Sequence, residues 1–325
     1  MSIAELEAAE LSLESTGGLW KDAWQRIRRN PGALVGFALV SLFVFIAVFA
    51  SVIAPYGPRA QNLLLVQNGC CPGPSAHHLL GVDQLGRDEL TRLFYGARFS
   101  LVIGVVAVGV GLSVGLLFGA IAGYAGGFID GLIMRVMDVM LAIPGLLLAI
   151  GIVAALGQGL WQIMIAVGTT NIPIFARLLR GSILAQREND FVLAARSVGV
   201  PRRAILASHI LPNAISPVIV QGTLALATAI IDVAGLGFLG LGPQDPGTPE
   251  WGTMLTEVDR YLQSAPLLAV FPGIAIVISV LGFNLIGDGL REALDPKLRG
   301  RVGRFRAPKA ETREERLVPE VSESV

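Results

Sequence analysis

ALVGFALVSLFVFIAVFASVIA, residues 33–54, runs for 22 residues without one charged side chain and is ended by Pro55, Gly57 and Pro58. About 20 apolar residues in a helix cross the hydrocarbon core of a bilayer, and a water-soluble domain has no place for so much uninterrupted apolar surface. The stretch is a membrane-spanning helix. Over all 325 residues, 53% are hydrophobic and 15% charged, which is the same balance at the scale of the chain.

Further spans follow at about residues 99–122, 132–155, 160–179, 214–239 and 266–287, giving six. Glycines at 111, 115, 119 and 123 repeat every fourth residue in the second, so one stripe of that helix admits close approach of another backbone. Pro144-Gly145 interrupts the third span and predicts a kink. Arg135 and Asp138, three apart near its start, predict an ion pair on the helix surface. Thr169, Thr170, Asn171 and Pro173 make the fourth span polar enough to face protein or a water-filled path. Gln221, Thr223, Thr228 and Asp232 do the same for the fifth. An ionisable group within a span costs about 2.5–3.5 kcal/mol near the centre, so Asp232 either faces a cavity or partner, or sits hydrogen-bonded nearer the outer interface. Asn171, Gln221, Thr228 and Asp232 are the candidate pore-lining residues.

Charge is distributed unevenly although the formal net charge is zero. With the amino terminus in the cytoplasm, only Arg59, Arg87, Arg92, Arg98 and Arg260 of the 25 lysines and arginines fall in outer segments. That bias predicts an inner-membrane protein with both termini cytoplasmic. Residues 1–31 start acidic and carry no apolar run of their own, so no cleaved signal peptide is expected. Trp20, Trp24 and Ile27 share a helical face beside Lys21, Arg26, Arg28 and Arg29. This reads as an interfacial amphipathic helix, or as a helix whose tryptophans pack on a partner subunit. The last 30 or so residues mix both signs of charge with little apolar content, the composition of a disordered tail.

Catalytic motifs are missing. The lysines are Lys21, Lys297 and Lys309, and none ends a glycine-rich phosphate loop, so any nucleotide must bind another polypeptide. HExxH is absent, the GxSxG spacing at residues 111–115 lies inside the second span and makes no nucleophile elbow, and no cofactor or metal is expected in this chain. Cys70, Cys71, His77 and His78 lie within nine residues on the outer side, but their spacing matches no standard ligand pattern. A local disulfide or loop packing is the reading there. The neutral overall balance predicts no nucleic-acid partner.

Between the fourth and fifth spans lies DFVLAARSVGVPRRAILASHILPNAISP, residues 190–217. Phe191 to Val198 favours helix, Gly199 suits a left-handed cap, Pro201 opens a second helix and Pro212 is expected to interrupt it. Ala194, Ala195 and Gly199 keep the elbow's surface small, as a docking element needs; the plainer alternative is a cytoplasmic linker.

Ala194-Ala195, Gly199 and His209-Ile210-Leu211-Pro212-Asn213 resemble the EAA loop of binding-protein-dependent ABC importer permeases. LLGVDQLGRDELTRLFYGARFSL (79–101), MRVMDVMLAIPGLLLA (134–149), GFLGLG (237–242), PEWGTML (249–255) and FNLIGDGLREALDPKLR (283–299) are similar to the C-type permease subunits of dipeptide, oligopeptide and nickel systems. The resemblance covers about residues 18–300. It departs at Leu193, where that loop often has Glu, which removes one charge-assisted contact.

The resemblance implies an all-α membrane protein with six transmembrane helices and the type I ABC importer permease fold. It implies a cytoplasmic segment over 1–31, a first transmembrane helix with an extracytoplasmic loop over 32–97, a permease core over 98–289 and a cytoplasmic tail over 290–325. It implies that this chain forms half of a path for di- or oligopeptides, the alternatives being nickel or glutathione-like substrates. The partners implied are a second permease subunit, two cytoplasmic ATP-binding subunits and an extracytoplasmic substrate-binding protein. Ala194, Ala195, Gly199, Pro201, His209 and Pro212 would then form the ATPase-coupling loop. An ion-coupled secondary transporter is the rival class, but it favours ionisable groups deep in several spans, whereas most charges here stand near span ends.

Overall fold

The computed structural model describes residues 19–66, 70–245 and 247–294. Helix α1 (Leu19–Ile27) leads into α2 (Pro31–Ile53), the first span. Asn30 caps α2 by accepting from the Ala33 amide at 3.0 Å, and Pro31 occupies the first turn, where a missing N–H costs nothing. Helix α3 (Glu89–Ala125) is 37 residues long and starts ten residues before the predicted span, because Asp88 caps it through the Thr91 amide at 2.8 Å.

Helices α4 (Gly127–Ala142) and α5 (Gly145–Leu156) are the two halves of the third span, and the angle between them is 94°. Pro144-Gly145 therefore breaks the helix where the sequence predicts a kink. Pro173 does not break α6 (Leu160–Arg187), which stays one helix of 28 residues. Helix α9 (Ser216–Leu236) continues into a wide turn at Gly237–Leu241, α10 (Trp251–Val258) is short, and α11 (Leu267–Leu294) is the last span. Among the described residues five helices are long and apolar enough to cross a membrane, or six if the bent α4–α5 pair is one span.

α3 and α6 share the longest seam. A Cβ at Gly111 would lie 2.6 Å from Asn171 Cβ, at Gly115 2.7 Å from Phe175 Cβ, and at Gly119 2.6 Å from the Ala176 carbonyl oxygen. The stripe predicted from the four-residue repeat is thus filled by the backbone of α6. A second glycine contact joins α2 to α11, where a Cβ at Gly36 would meet the Gly282 carbonyl at 2.8 Å. The two largest buried clusters lie one around α3, α5, α6 and α9, and one around α2, α3, α9, α10 and α11.

One local reading is corrected. Asp138 pairs with Arg177 of α6 instead of Arg135, because the bend brings α4 alongside α6. In α1, Ala23 and Ile27 are buried and pack on Ala293 of α11, and Trp24 is 53% exposed with the Arg28 guanidinium over its ring. The predicted tail falls almost wholly outside the described residues.

Candidate translocation path and coupling surface

The elbow at 190–214 is two helices set on the bundle. Helix α7 (Asp190–Ser197) ends at Gly199, whose φ of +81° is the left-handed conformation read from the sequence. The Gly199 amide donates to the Arg196 carbonyl at 3.0 Å and the Val200 amide to the Ala195 carbonyl at 3.1 Å, which closes the helix end. After Pro201 the chain forms one composite helix, α8, from Arg202–Ile205, a wide turn at Leu206–Ile210 and Leu211–Ala214.

Pro212 does not interrupt α8, contrary to the sequence reading. The wide turn just before it shifts the ladder by one residue, so that the Leu211 amide bonds to the Leu206 carbonyl, and Pro212 enters at the first turn of the next segment. Asn213 adds a side-chain bond to the His209 carbonyl at 2.7 Å.

One side of the elbow is rooted in the membrane core. Val192, Ala195, Ile205, Ile210 and Ala214 are buried in the same cluster as α3 and α6. The other side is bare: Leu193 is 52% and Val198 78% exposed, and Ala194, Gly199, Pro201 and Pro212 are exposed beside them. His209 is half-buried, with Nδ1 buried and unpartnered. The small residues named from the sequence therefore split, with Ala195 an anchor and Ala194 and Gly199 on the open face.

The polar residues of α9 lie on one stripe, since Gln221, Thr228 and Asp232 are seven and four residues apart. Thr228 and Ile231 are exposed, and Gln221 and Asp232 half-buried, so the stripe is open along one flank of the subunit. Thr228 donates to its own helix, to the Ala225 carbonyl at 3.0 Å, and no hydrogen bond to the Asp232 carboxylate is formed among the described residues. Asn171 is elsewhere. It is 5% exposed in the α3–α6 seam, and its amide donates to the Val167 carbonyl at 2.9 Å. Its surroundings are those of a packing residue, and it is not brought together with the other three.

On the side opposite the elbow, a buried ionic cluster joins the loop before α3 to α10. Asp83 and Arg87 are 0% and 1% exposed, and Arg92 is 2%. Arg87 Nε donates to Asp83 Oδ2 at 2.6 Å and Arg87 Nη2 to Glu257 Oε2 at 2.6 Å. Arg92 reaches the same Glu257 oxygen at 2.5 Å and also bonds Asp83. Asp83 Oδ1 accepts from the Leu85 and Arg87 amides, both at 2.9 Å, so each of its oxygens is occupied. The dense charge between 83 and 92 was a usable signal in the sequence, but its partner on α10 was not.

α10 is fixed at its own start by Glu250, which is fully buried and accepts from the Gly252 and Thr253 amides, both at 2.9 Å. Burial pushes this carboxyl's pKa up, and the two backbone bonds oppose that rise. Trp251 is fully buried against Gly96 and stands edge-on to Phe43, centroids 5.6 Å apart. In the loop between α2 and α3 His78 Nδ1 bonds Asp88 Oδ1 at 2.9 Å and stacks on Tyr56, while Cys70 and Cys71 are joined to each other. Among the described residues, no three metal-ligating side chains converge.

This geometry can be compared with known proteins. Residues 115–300 match the family model described as binding-protein-dependent transport system inner membrane component. Residues 18–68 match the N-terminal TM domain of oligopeptide transport permease C. The chain is 47% identical over 280 residues to the dipeptide transport system permease protein DppC of Alkalihalophilus pseudofirmus, covering 86% of this chain and 90% of that protein. It is 47% identical over 281 residues to the di/tripeptide transport system permease protein DppC of Pseudomonas aeruginosa, covering 86% and 92%. It is 50% identical over 281 residues to the glutathione transport system permease protein GsiD of Shigella flexneri, covering 86% and 91%.

Among solved structures, a chain of the MetNI methionine ABC transporter in an inward-facing conformation superposes with a TM-score of 0.52 at 18% identity, over 63% of this chain and 96% of that one. At that identity the likeness concerns the fold, which is the type I permease fold expected from the sequence. The bundle of spans, the rooted elbow and the two family matches agree: this chain belongs to the binding-protein-dependent transport system inner membrane components, the permease subunits of ABC importers, and is a multi-pass membrane protein.

Proposed function

We propose that this chain is one of two different permease subunits of an importer for di- and oligopeptides, driven by separate ATPases and supplied by an external binding protein. The observation that carries the reading is the two-sided elbow: Ala195 and Ile205 are locked into the span core while Leu193, Ala194 and Val198 are bare. A rigid lever with an unpartnered apolar outer face is what a motor subunit needs to grip. Ala194, Gly199, Pro201 and Pro212 present that face, His209 stands beside it, and both termini share its cytoplasmic side.

The open stripe of Gln221, Thr228 and Asp232 on α9 would face the second permease subunit across the path. Asp232 is then a carboxylate available to a substrate ammonium group, and Asn171 supports the path through packing. Residues 1–31, 32–97, 98–289 and 290–325 serve as cytoplasmic segment, first span with outer loop, core and cytoplasmic tail. The 50% identity to a glutathione permease supports a second reading, in which the cargo is a γ-linked tripeptide.

Purification of the chain with its associated subunits tests both. The expected result is a heteromeric complex containing ATPases, whose hydrolysis is stimulated by a binding protein loaded with di- or tripeptide. Stimulation by glutathione alone would select the second reading. Uptake in proteoliposomes without any ATPase would end both.

A further inference from the structure

Gly123, near the end of α3, and Arg187, the last residue of α6, mark where two spans leave the apolar slab, and the elbow closes over them. Between them is a cavity of about 160 Å³. Its floor is apolar, with Ile183 at 0%, Ile205 at 3% and Ile210 at 4% exposure. Its charged lining is Arg187, Arg196 and Arg202, with no acidic side chain among the described residues that line it.

The neighbouring arginines of α6 behave differently. Arg180 bonds both oxygens of Asp130, at 2.5 and 2.6 Å, and Arg177 bonds Asp138. Arg187 makes one bond, to the Gly123 carbonyl at 3.1 Å, and Arg196 and Arg202 form no ion pair among the described residues. Three positive charges thus converge, unneutralised, above an apolar floor at the level of the membrane surface. Mutual repulsion of like charges there needs a counter-charge, and the shape calls for one with an apolar end.

We propose that this cavity binds the phosphate headgroup of an anionic membrane phospholipid, which fastens α7 and α8 to the ends of α3 and α6. Guanidinium groups pair phosphate oxygens two at a time, and basic pockets between span ends hold acidic headgroups by the same chemistry. The site is distinct from the proposed motor contact, because Ile205, Leu206 and Ile210 turn inward to the cavity, with the exposed Arg202 at its rim, while Arg203, Ala207, Ser208 and Pro212 are exposed and do not line it. The inference therefore stands or falls separately from the coupling role.

The test is native mass spectrometry of the whole transporter, reconstituted in nanodiscs containing phosphatidylglycerol and released into mild detergent. Each surface arginine contributes about fivefold to the affinity for an acidic headgroup, so the Arg196→Gln, Arg202→Gln double variant should retain about 25-fold less phosphatidylglycerol. The corresponding double Lys variant keeps both charges and should retain most of it, while Arg177→Gln, whose charge is already paired, should match the wild type. Equal retention by the Gln double variant overturns the proposal, as does equal loss in the Gln and Lys variants. Displacement of the lipid by millimolar inorganic phosphate would also overturn it, by assigning the site to a soluble anion.

Discussion

Arg87 and Glu257 are 170 residues apart in the chain and 2.6 Å apart in the fold. With Arg92 and Asp83 they tie the loop that precedes α3 to α10. Removing one member of a buried pair leaves an uncompensated charge, and Arg87→Met should destabilise the protein by about 3 kcal/mol, the low end for such changes because Glu257 is 25% exposed. Thermal unfolding of the purified complex reads this out. A loss below about 1 kcal/mol would mean that the pair is no more than a surface contact.

The α3–α6 seam predicts a contrast between two glycines of one helix. Gly115→Ala places a methyl 2.7 Å from the Ile172 carbonyl and Phe175 Cβ, and overpacking of that kind costs about 1–3 kcal/mol. A Cβ at Gly109 meets nothing within 4 Å, and Gly109→Ala should be neutral or stabilise by about 0.5–1 kcal/mol. Melting temperatures of the two variants should move in opposite directions or differ clearly; equal shifts would refute the packing account.

Gly199 tests the elbow through backbone strain alone, since its φ is +81° and no atom lies within 4 Å of a Cβ there. Ala in the left-handed region costs about 1–2 kcal/mol, and Asn less. Gly199→Ala should lower the amount of substrate moved per ATP hydrolysed, with Gly199→Asn intermediate. If Asn proves worse than Ala, conformation is not what the position supplies.

Asp232 is the one acidic group on the open stripe of α9. A charge-assisted hydrogen bond to a substrate ammonium group is worth about 1.5–3 kcal/mol, so Asp232→Asn should slow uptake about tenfold or more while the complex still assembles. Normal uptake by a well-expressed variant would remove Asp232 from the path, and failure to assemble would make it structural.

The span ends show how far local reading goes. The sequence places the sixth span at 266–287, and the helix runs to Leu294 because the following residues, such as Arg291 and Glu292, are good helix formers that water can solvate. Hydropathy marks the slab and not the helix, which is also why α3 begins at Glu89 inside a charged run. Pro144 and Pro173 look alike in sequence, yet one breaks its helix through 94° and the other is buried within an unbroken one. The neighbours decide, since α6 is gripped along its length by the glycines of α3.

The membrane class, the existence of the spans, the glycine stripe and the left-handed turn at Gly199 followed from residue order alone, because each is set by apolar length or by backbone sterics within a few residues. Tertiary structure alone decided that Asn171 is buried in the α3–α6 seam, that Asp138 belongs to Arg177, that Arg87 finds Glu257, and that Arg187, Arg196 and Arg202 line one cavity. Those are encounters between distant segments, and no periodicity within a segment records which stranger it will meet.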